Sequence, residues 1–218
     1  MRAKEAHEMG ESMIHNIICL VIGYFCGCIS SGYFVGKFHH IDIREHGSGN
    51  AGTTNVLRVL GKLPALITFV GDLAKAVLPI LVIRVFLSPD NWYLLCLYIG
   101  LGVVLGHNYP FYLGFKGGKG IAVTAAVVMS AAHPLFIPVG TLIFALIVAL
   151  TRYVSLGSLV VAWYIPVNTV LMHRNDKEFV HMMVISLLFT AFAYFQHRQN
   201  IVRLIHGKEN KIGSKSSK

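Results

Sequence analysis

Charge is what this sequence has least of. Only 13% of its 218 residues are charged, ten of them acidic, against an apolar content of 55% and a mean hydropathy of +0.62. Soluble domains carry about 25% charged residues. No polar segment here is long enough to build an extramembrane domain, so residues 1–218 read as a single polytopic membrane domain. The sequence also lacks a basic soluble module. Its net charge of +9 is scattered over short loops between apolar runs, which argues against nucleic acid and for a membrane surface and anionic groups. Cysteine is scarce: Cys19, Cys26, Cys28 and Cys96 lie in apolar runs, form no CxxC pair and have no histidine at ligand spacing. Packed free thiols follow, not a zinc or other metal site. The N-terminal MRAKEAHEMGES has no net basic region and no small-residue cleavage site beyond it, so the first apolar run reads as a retained span.

The apolar runs cover residues 13–38, 63–87, 92–105, 121–150, 156–172 and 179–195. A bilayer span needs about 20 residues. One straight helix over 121–150 would reach about 45 Å at 1.5 Å per residue, too long for a hydrocarbon core of about 30 Å. A hairpin at His133-Pro134 divides it, giving an all-α integral membrane protein of about seven transmembrane helices. Within the second run, Asp72 and Lys75 stand three residues apart. Either they pair on a face turned to the protein interior, or they form an interfacial pair near the helix end. Seven spans put thirteen Lys and Arg on one side, counting the loops 37–62 and 107–120, Arg152 and the tail, against five on the other. The positive-inside rule then places the N-terminus outside and the C-terminus in the cytoplasm, with short turns at 88–91 and 173–178 on the far side. Every glycine-rich stretch lands on the cytoplasmic face.

Four polar stretches converge there. The first is GSGNAGTTNVLR, residues 47–58. Gly47, Gly49 and Gly52 permit φ > 0 and close approach of a ligand, and Ser48, Asn50, Thr53, Thr54 and Asn55 add hydroxyls and amides. A helix starting near Thr53 or Thr54 and carrying Arg58 would aim free N–H groups at the loop, which suits a phosphate; an ordinary polar loop is the plainer reading. The second is GHNYPFYLGFKGGKGIA, residues 106–122, where Gly117, Gly118 and Gly120 surround Lys119 before a helix. This is a phosphate clamp or a basic lipid anchor. It is not a Walker A loop, because Leu113 stands where that pattern needs Gly and Gly120 where it needs Ser or Thr. The third, RYVSLGS (152–158), offers Arg152, Ser155 and Ser158, with Ser155 a ligand or a helix cap. The fourth is HRQNIVRLIHGKE (197–209), with His197, Asn200, Arg203 and Glu209 binding a ligand or merely touching headgroups.

Together these four stretches resemble the bacterial acyl-phosphate-dependent glycerol-3-phosphate acyltransferase family (PlsY type) over nearly the whole chain. Thr53 stands where Ala is usual, and Phe111 and Val123 are mild departures from the common Val and Thr. The resemblance implies a seven-helix cell-membrane enzyme with its active site facing the cytoplasm. It would transfer an acyl chain from acyl phosphate to the 1-hydroxyl of glycerol 3-phosphate, giving lysophosphatidate and phosphate, without cofactor or metal. It also implies the bilayer, and the enzyme that makes acyl phosphate, as partners. Mapped onto the motifs, Arg58 and Lys119 neutralise phosphate. Ser48, Asn50 and neighbouring N–H groups hold phosphate or carbonyl oxygens, and Ser155, His197 and Asn200 position glycerol 3-phosphate. Gly49, Thr54, Asn55, Gly117, Gly118, Gly120, Arg152, Ser158 and Glu209 complete the substrate site, Glu209 orienting a cation rather than acting as base. Two rival functions are weaker. A transporter of an organic phosphate would use broken helices and cationic loops, yet the halves show no repeat and the polar groups crowd one face. A coenzyme-A-dependent acyltransferase commonly shows His-x4-Asp, and none of the eleven histidines has Asp five residues on.

Overall fold

The computed structural model describes residues 2–87 and 91–213, with backbone alone at 2–10 and 87. The expected turn at 88–91 therefore falls largely outside the described residues. All regular elements among those described are helical: α1 (Arg2–Cys28), α2 (Ser31–Phe38), α3 (Thr53–Leu60), α4 (Lys62–Val82), α5 (Trp92–Asn108), α6 (Ile121–Ala131), α7 (Phe136–Thr151), α8 (Val154–Val161), α9 (Tyr164–His173), α10 (Phe179–Gln196) and α11 (Arg198–Ile205). Five helical stretches are long and apolar enough to cross a membrane: Glu11–Phe38, Lys62–Phe86, Trp92–Leu113, Val154–His173 and Phe179–Gln196. The 121–150 run is divided where the histidine and proline suggested, into the shorter α6 and α7, with Ala132 extended between them.

Two runs that read as continuous are broken. The first parts at Ile29–Ser30 into α1 and α2, where Ser30 takes an extended conformation. The span over 154–173 parts at 162–163, because Pro166 has no N–H to give a preceding turn and so sits in the first turn of α9.

α5 is the axis of the bundle. Fourteen of its seventeen residues are buried, whereas the other long spans expose Ile, Leu, Val and Phe outward, as lipid-facing surfaces do. Its packing on α1 has a specific cause. Gly23 and Gly27 of α1 face Gly102 and Gly106 of α5, and a Cβ on any of the four would overlap the other helix's backbone. Small residues four apart on both helices let two backbones touch, the arrangement that associates helices where lipid removes the hydrophobic drive. This seam fixes the far end of α5, which carries His107 and Asn108. Asp72 and Lys75 do pair, at 2.9 Å, and the pair is interior: the two residues are 1% and 6% exposed.

Candidate active site

Three segments remote in sequence wall one polar cleft of about 530 Å³: residues 47–50, residues 108–119 at the end of α5 and beyond, and residues 195–210 around α11. The first wall is organised by Asn55. Buried in the first turn of α3, its Oδ1 accepts from the Ser48 N–H at 2.7 Å, and its Nδ2 donates to the carbonyls of Ile43 and His46 at 3.1 and 2.9 Å. Gly47 and Gly49 take φ of 61° and 71° to make the return, and a Cβ on Gly47 would strike the Asn55 amide. Gly52 corrects the expectation for it: with φ −91° it is the N-cap of α3 and needs no left-handed backbone. Asn50 accepts from the Gly52 N–H at 2.9 Å. Arg44 straps this loop to the second wall, gripping Asp42 with two nitrogens and donating to the Leu113 carbonyl at 2.9 Å. That grip holds the Asp42 carboxyl down to about 2.

The second wall lies flat on α5. The N–H groups of Gly117 and Gly118 donate to the carbonyls of Asn108 and His107 at 3.0 and 2.9 Å. A Cβ on Gly118 would overlap the His107 imidazole, so glycine is required by packing there. Gly120, at φ 80°, caps α6. Lys119 between them reaches across the cleft and donates to Asn200 Oδ1 at 2.5 Å. Burial lowers its pKa to about 8; Glu209 opposes the shift, while the nearby charges of Arg203 and Arg58 add to it.

The third wall continues that contact. Asn200 Nδ2 donates to Glu209 Oε1 at 2.7 Å, Ser155 Oγ donates to the same oxygen at 3.1 Å, and Arg203 Nε donates to Oε2 at 2.8 Å. One carboxylate thus gathers α8, α11 and the tail, and through Asn200 sets Lys119. His197, 3% exposed, meets the Ala193 carbonyl with Nδ1 at 2.8 Å. Since a carbonyl only accepts, Nδ1 carries the proton and the neutral ring keeps Nε2 as acceptor. Burial, with Lys119 nearby, lowers the His197 pKa to about 4, the Ala193 bond and Glu209 working the other way.

A glycine loop with a lysine, a serine-asparagine loop and a carboxylate-ordered third wall meet in one cleft. The glycerol-3-phosphate acyltransferase family model matches this chain over residues 17–207. The chain belongs to that family. The glycerol-3-phosphate acyltransferase of Thermoanaerobacter sp. (strain X514) is 39% identical over 204 residues, covering 93% of this chain and 98% of that protein. That of Clostridioides difficile (strain 630) is 41% identical, covering 91% and 96%. Among solved structures, the crystal structure of PlsY (YgiH), an integral membrane glycerol 3-phosphate acyltransferase, in its glycerol 3-phosphate form superposes with a TM-score of 0.79. It shares 32% identity over 91% of this chain and 96% of that one. The lysophosphatidic acid form of the same enzyme gives 0.77.

In this acyltransferase-family chain the cleft itself takes up Ser48, Gly49, Asn50, Gly117, Gly118, Lys119 and Asn200. Ser155, His197 and Glu209 adjoin it through Asn200 and Lys119. Arg58 does not line the cleft; its charge is felt at Lys119, and its guanidinium makes no hydrogen bond among the described residues. Four expectations need correction. Asn55 spends its amide inside its own loop, so it shapes the wall instead of facing a ligand. Ser158 donates to Val154 of its own helix at 2.9 Å. Arg152 clips the tail, donating to the Ile212 carbonyl at 2.9 Å while its own carbonyl accepts the Ile212 N–H. Thr54 is exposed and stands outside the cleft lining. The N–H groups of Gly117 and Gly118 are likewise already used, so Lys116 and Lys119, not those amides, are what this loop offers an anion. Arg203, which the fourth stretch offered, stands in the lining; Asn108 in the lining and the Arg44 strap had no assigned place in the site, because a single Asn or Arg in a loop looks like any polar residue.

Proposed function

We propose that this protein transfers an acyl chain from acyl phosphate to the 1-hydroxyl of glycerol 3-phosphate, giving lysophosphatidate and phosphate. Residues 1–218 act as one catalytic unit. The observation that carries the reading is the reach of Lys119 to the Asn200–Glu209–Ser155 chain across a cleft whose opposite wall presents Ser48 and Asn50. The crystal forms of the related enzyme with glycerol 3-phosphate and lysophosphatidic acid support the acceptor and the product.

Two phosphates must be held together against their repulsion. Lys119 and Arg58 supply the positive charge, Ser48 and Asn50 hold phosphate or carbonyl oxygens, and His197, Asn200 and Ser155 position glycerol 3-phosphate. Gly49 allows the first wall its turn, and Gly120 starts α6 beside Lys119. Acyl phosphate is a mixed anhydride with a good leaving group. The glycerol hydroxyl oxygen attacks the acyl carbon, the bond from that carbon to the bridging oxygen breaks, and phosphate departs with that oxygen and the electron pair. The hydroxyl proton passes to a bound phosphate oxygen, whose second pKa near ~6 suits the task. His197 is too weakly basic at about 4 to be the favoured acceptor, and it helps to position glycerol 3-phosphate instead.

We place the cleft on the cytoplasmic side of a seven-span chain, α6 and α7 being two short spans, with the N-terminus outside. Maleimide applied to intact cells should label Lys177→Cys and spare Lys116→Cys; the reverse would overturn the orientation. For the activity, purified protein is mixed with acyl phosphate and glycerol 3-phosphate and lysophosphatidate is sought. A transporter would form none.

A further inference from the structure

The Asp72–Lys75 pair takes no part in the cleft chemistry, yet it lies directly beneath it. The Lys75 ammonium, buried within the bundle, has three neighbours on three elements: Asp72 Oδ1 of α4 at 2.9 Å, the Ile29 carbonyl at the α1–α2 break at 2.8 Å, and His107 Nδ1 of α5 at 2.8 Å. An ammonium only donates, so Nδ1 accepts and the proton of the neutral imidazole sits on Nε2. That edge of the ring lies under Gly118, at the place a Cβ would occupy. The His107 carbonyl accepts the Gly118 N–H one residue before Lys119. On the other side, the α1–α2 break leads into Gly32, which abuts the Ala51 carbonyl of the first wall so closely that a Cβ would overlap it. One buried ammonium therefore joins the supports of both loops.

An ion pair within a membrane span is costly, and apolar residues of similar size pack as well or better. Apolar residues cannot, however, hold a carbonyl and an imidazole at fixed angles. We propose that Asp72, Lys75 and His107 form a positioning hub that sets the height of the glycine loop, and so of Lys119, relative to the serine-asparagine loop. None of the three touches substrate. They act through Gly118 and Ile29.

The test separates fold from position. Asp72→Leu/Lys75→Met removes both charges together, so no lone charge remains buried; His107→Leu leaves the ion pair and removes the link to the loop. Each is compared with wild type for unfolding temperature, for KM and kcat, and for hydrogen exchange at the Gly117 and Gly118 amides. Both variants should keep an unfolding temperature near that of wild type. Both should lower kcat/KM for glycerol 3-phosphate roughly ten- to a hundred-fold, the range for a group misplaced by about 1 Å, with the two amides exchanging faster. Wild-type kcat/KM together with wild-type amide protection in His107→Leu overturns the hub, whether or not the double variant folds. The kinetic readout rests on the acyl-transfer reading, whereas amide exchange does not. If wild type forms no lysophosphatidate but the variants lose protection, the function falls and the hub stands; if protection is unchanged, the hub falls as well.

Discussion

The two ends of α5 carry similar numbers of polar side chains and use them in opposite ways. At the Trp92 end, Tyr93 OH meets Thr169 Oγ1 at 2.9 Å and accepts from Asn168 Nδ2 at 2.9 Å, Thr169 meets Ser186 at 2.7 Å, and Asn168 Oδ1 accepts from the His133 N–H. Nearby, His173 stacks on Tyr93 and contacts Asp176. Each of these groups answers another. At the Asn108 end, Lys119 has one hydrogen-bonded partner, Arg58 outside the cleft lining has none among the described residues, and the cleft is open. A closed polar network stabilises a fold, and an open one with excess positive charge awaits an anion. Polarity alone does not tell the two apart; what each donor already holds does.

The largest effects should come from the open end. Lys119→Ala and Arg58→Ala should each abolish turnover while the protein still assembles in the membrane. Truncating one partner of a buried charged contact costs about 2–5 kcal/mol, roughly 30- to several-thousand-fold in rate when lost from the transition state. Lys119→Arg should recover only part, because a planar fork cannot replace a compact ammonium between glycines. A near-normal rate in either Ala variant would remove that residue from the site.

Next comes His197. His197→Asn or His197→Gln, which keeps a hydrogen-bonding group, should raise KM for glycerol 3-phosphate and retain substantial kcat. A fall in kcat of ~100-fold or more, the range for losing a general base, reversed by added imidazole, would instead make His197 the base.

Lys119 also sets a pH limit. With its pKa held near 8, the ammonium is lost as pH rises through that value, so kcat/KM, which reports the free enzyme, should fall above pH 8 by up to about tenfold per unit. Stability runs the other way. The fold favours the neutral amine, so from about 8 up to the ordinary 10.5 the unfolded chain binds the extra proton and unfolding becomes harder. A flat kcat/KM between pH 7 and 9 would refute the assignment.

The smallest kinetic effect belongs to the closed end. Asn168→Ala should leave kcat and KM unchanged and cost about 1–3 kcal/mol of stability, the penalty for orphaning buried partners. A kinetic change there would erase the distinction between the ends.

These ends also separate what the sequence could disclose from what it could not. The apolar runs, the break between α6 and α7, the start of α3 at Thr53 and the Asp72–Lys75 pair follow from local spacing, and the structure has them. The partners of Asn55, Ser158 and Arg152 depend on tertiary neighbours, and spacing cannot show that their donors are already spent. The glycine seam lies between. Gly23 and Gly27, and likewise Gly102 and Gly106, stand at the telling spacing of four, but nothing local says that segments so far apart face each other. The break at Ile29–Ser30 carries no proline to announce it.

The seam between α1 and α5 has a consequence for a protein working in a changing bilayer. When lipid composition alters hydrocarbon thickness, spans respond chiefly by tilting, at a cost of fractions of a kcal/mol per Å. Helices separated by flexible side chains slide as they tilt. Two backbones in direct contact have no such cushion and tilt as one body, carrying the α5 terminus and the glycine loop with them. Short-chain and long-chain bilayers should therefore change the tilt of this helix pair before they change the spacing between α1 and the end of α5.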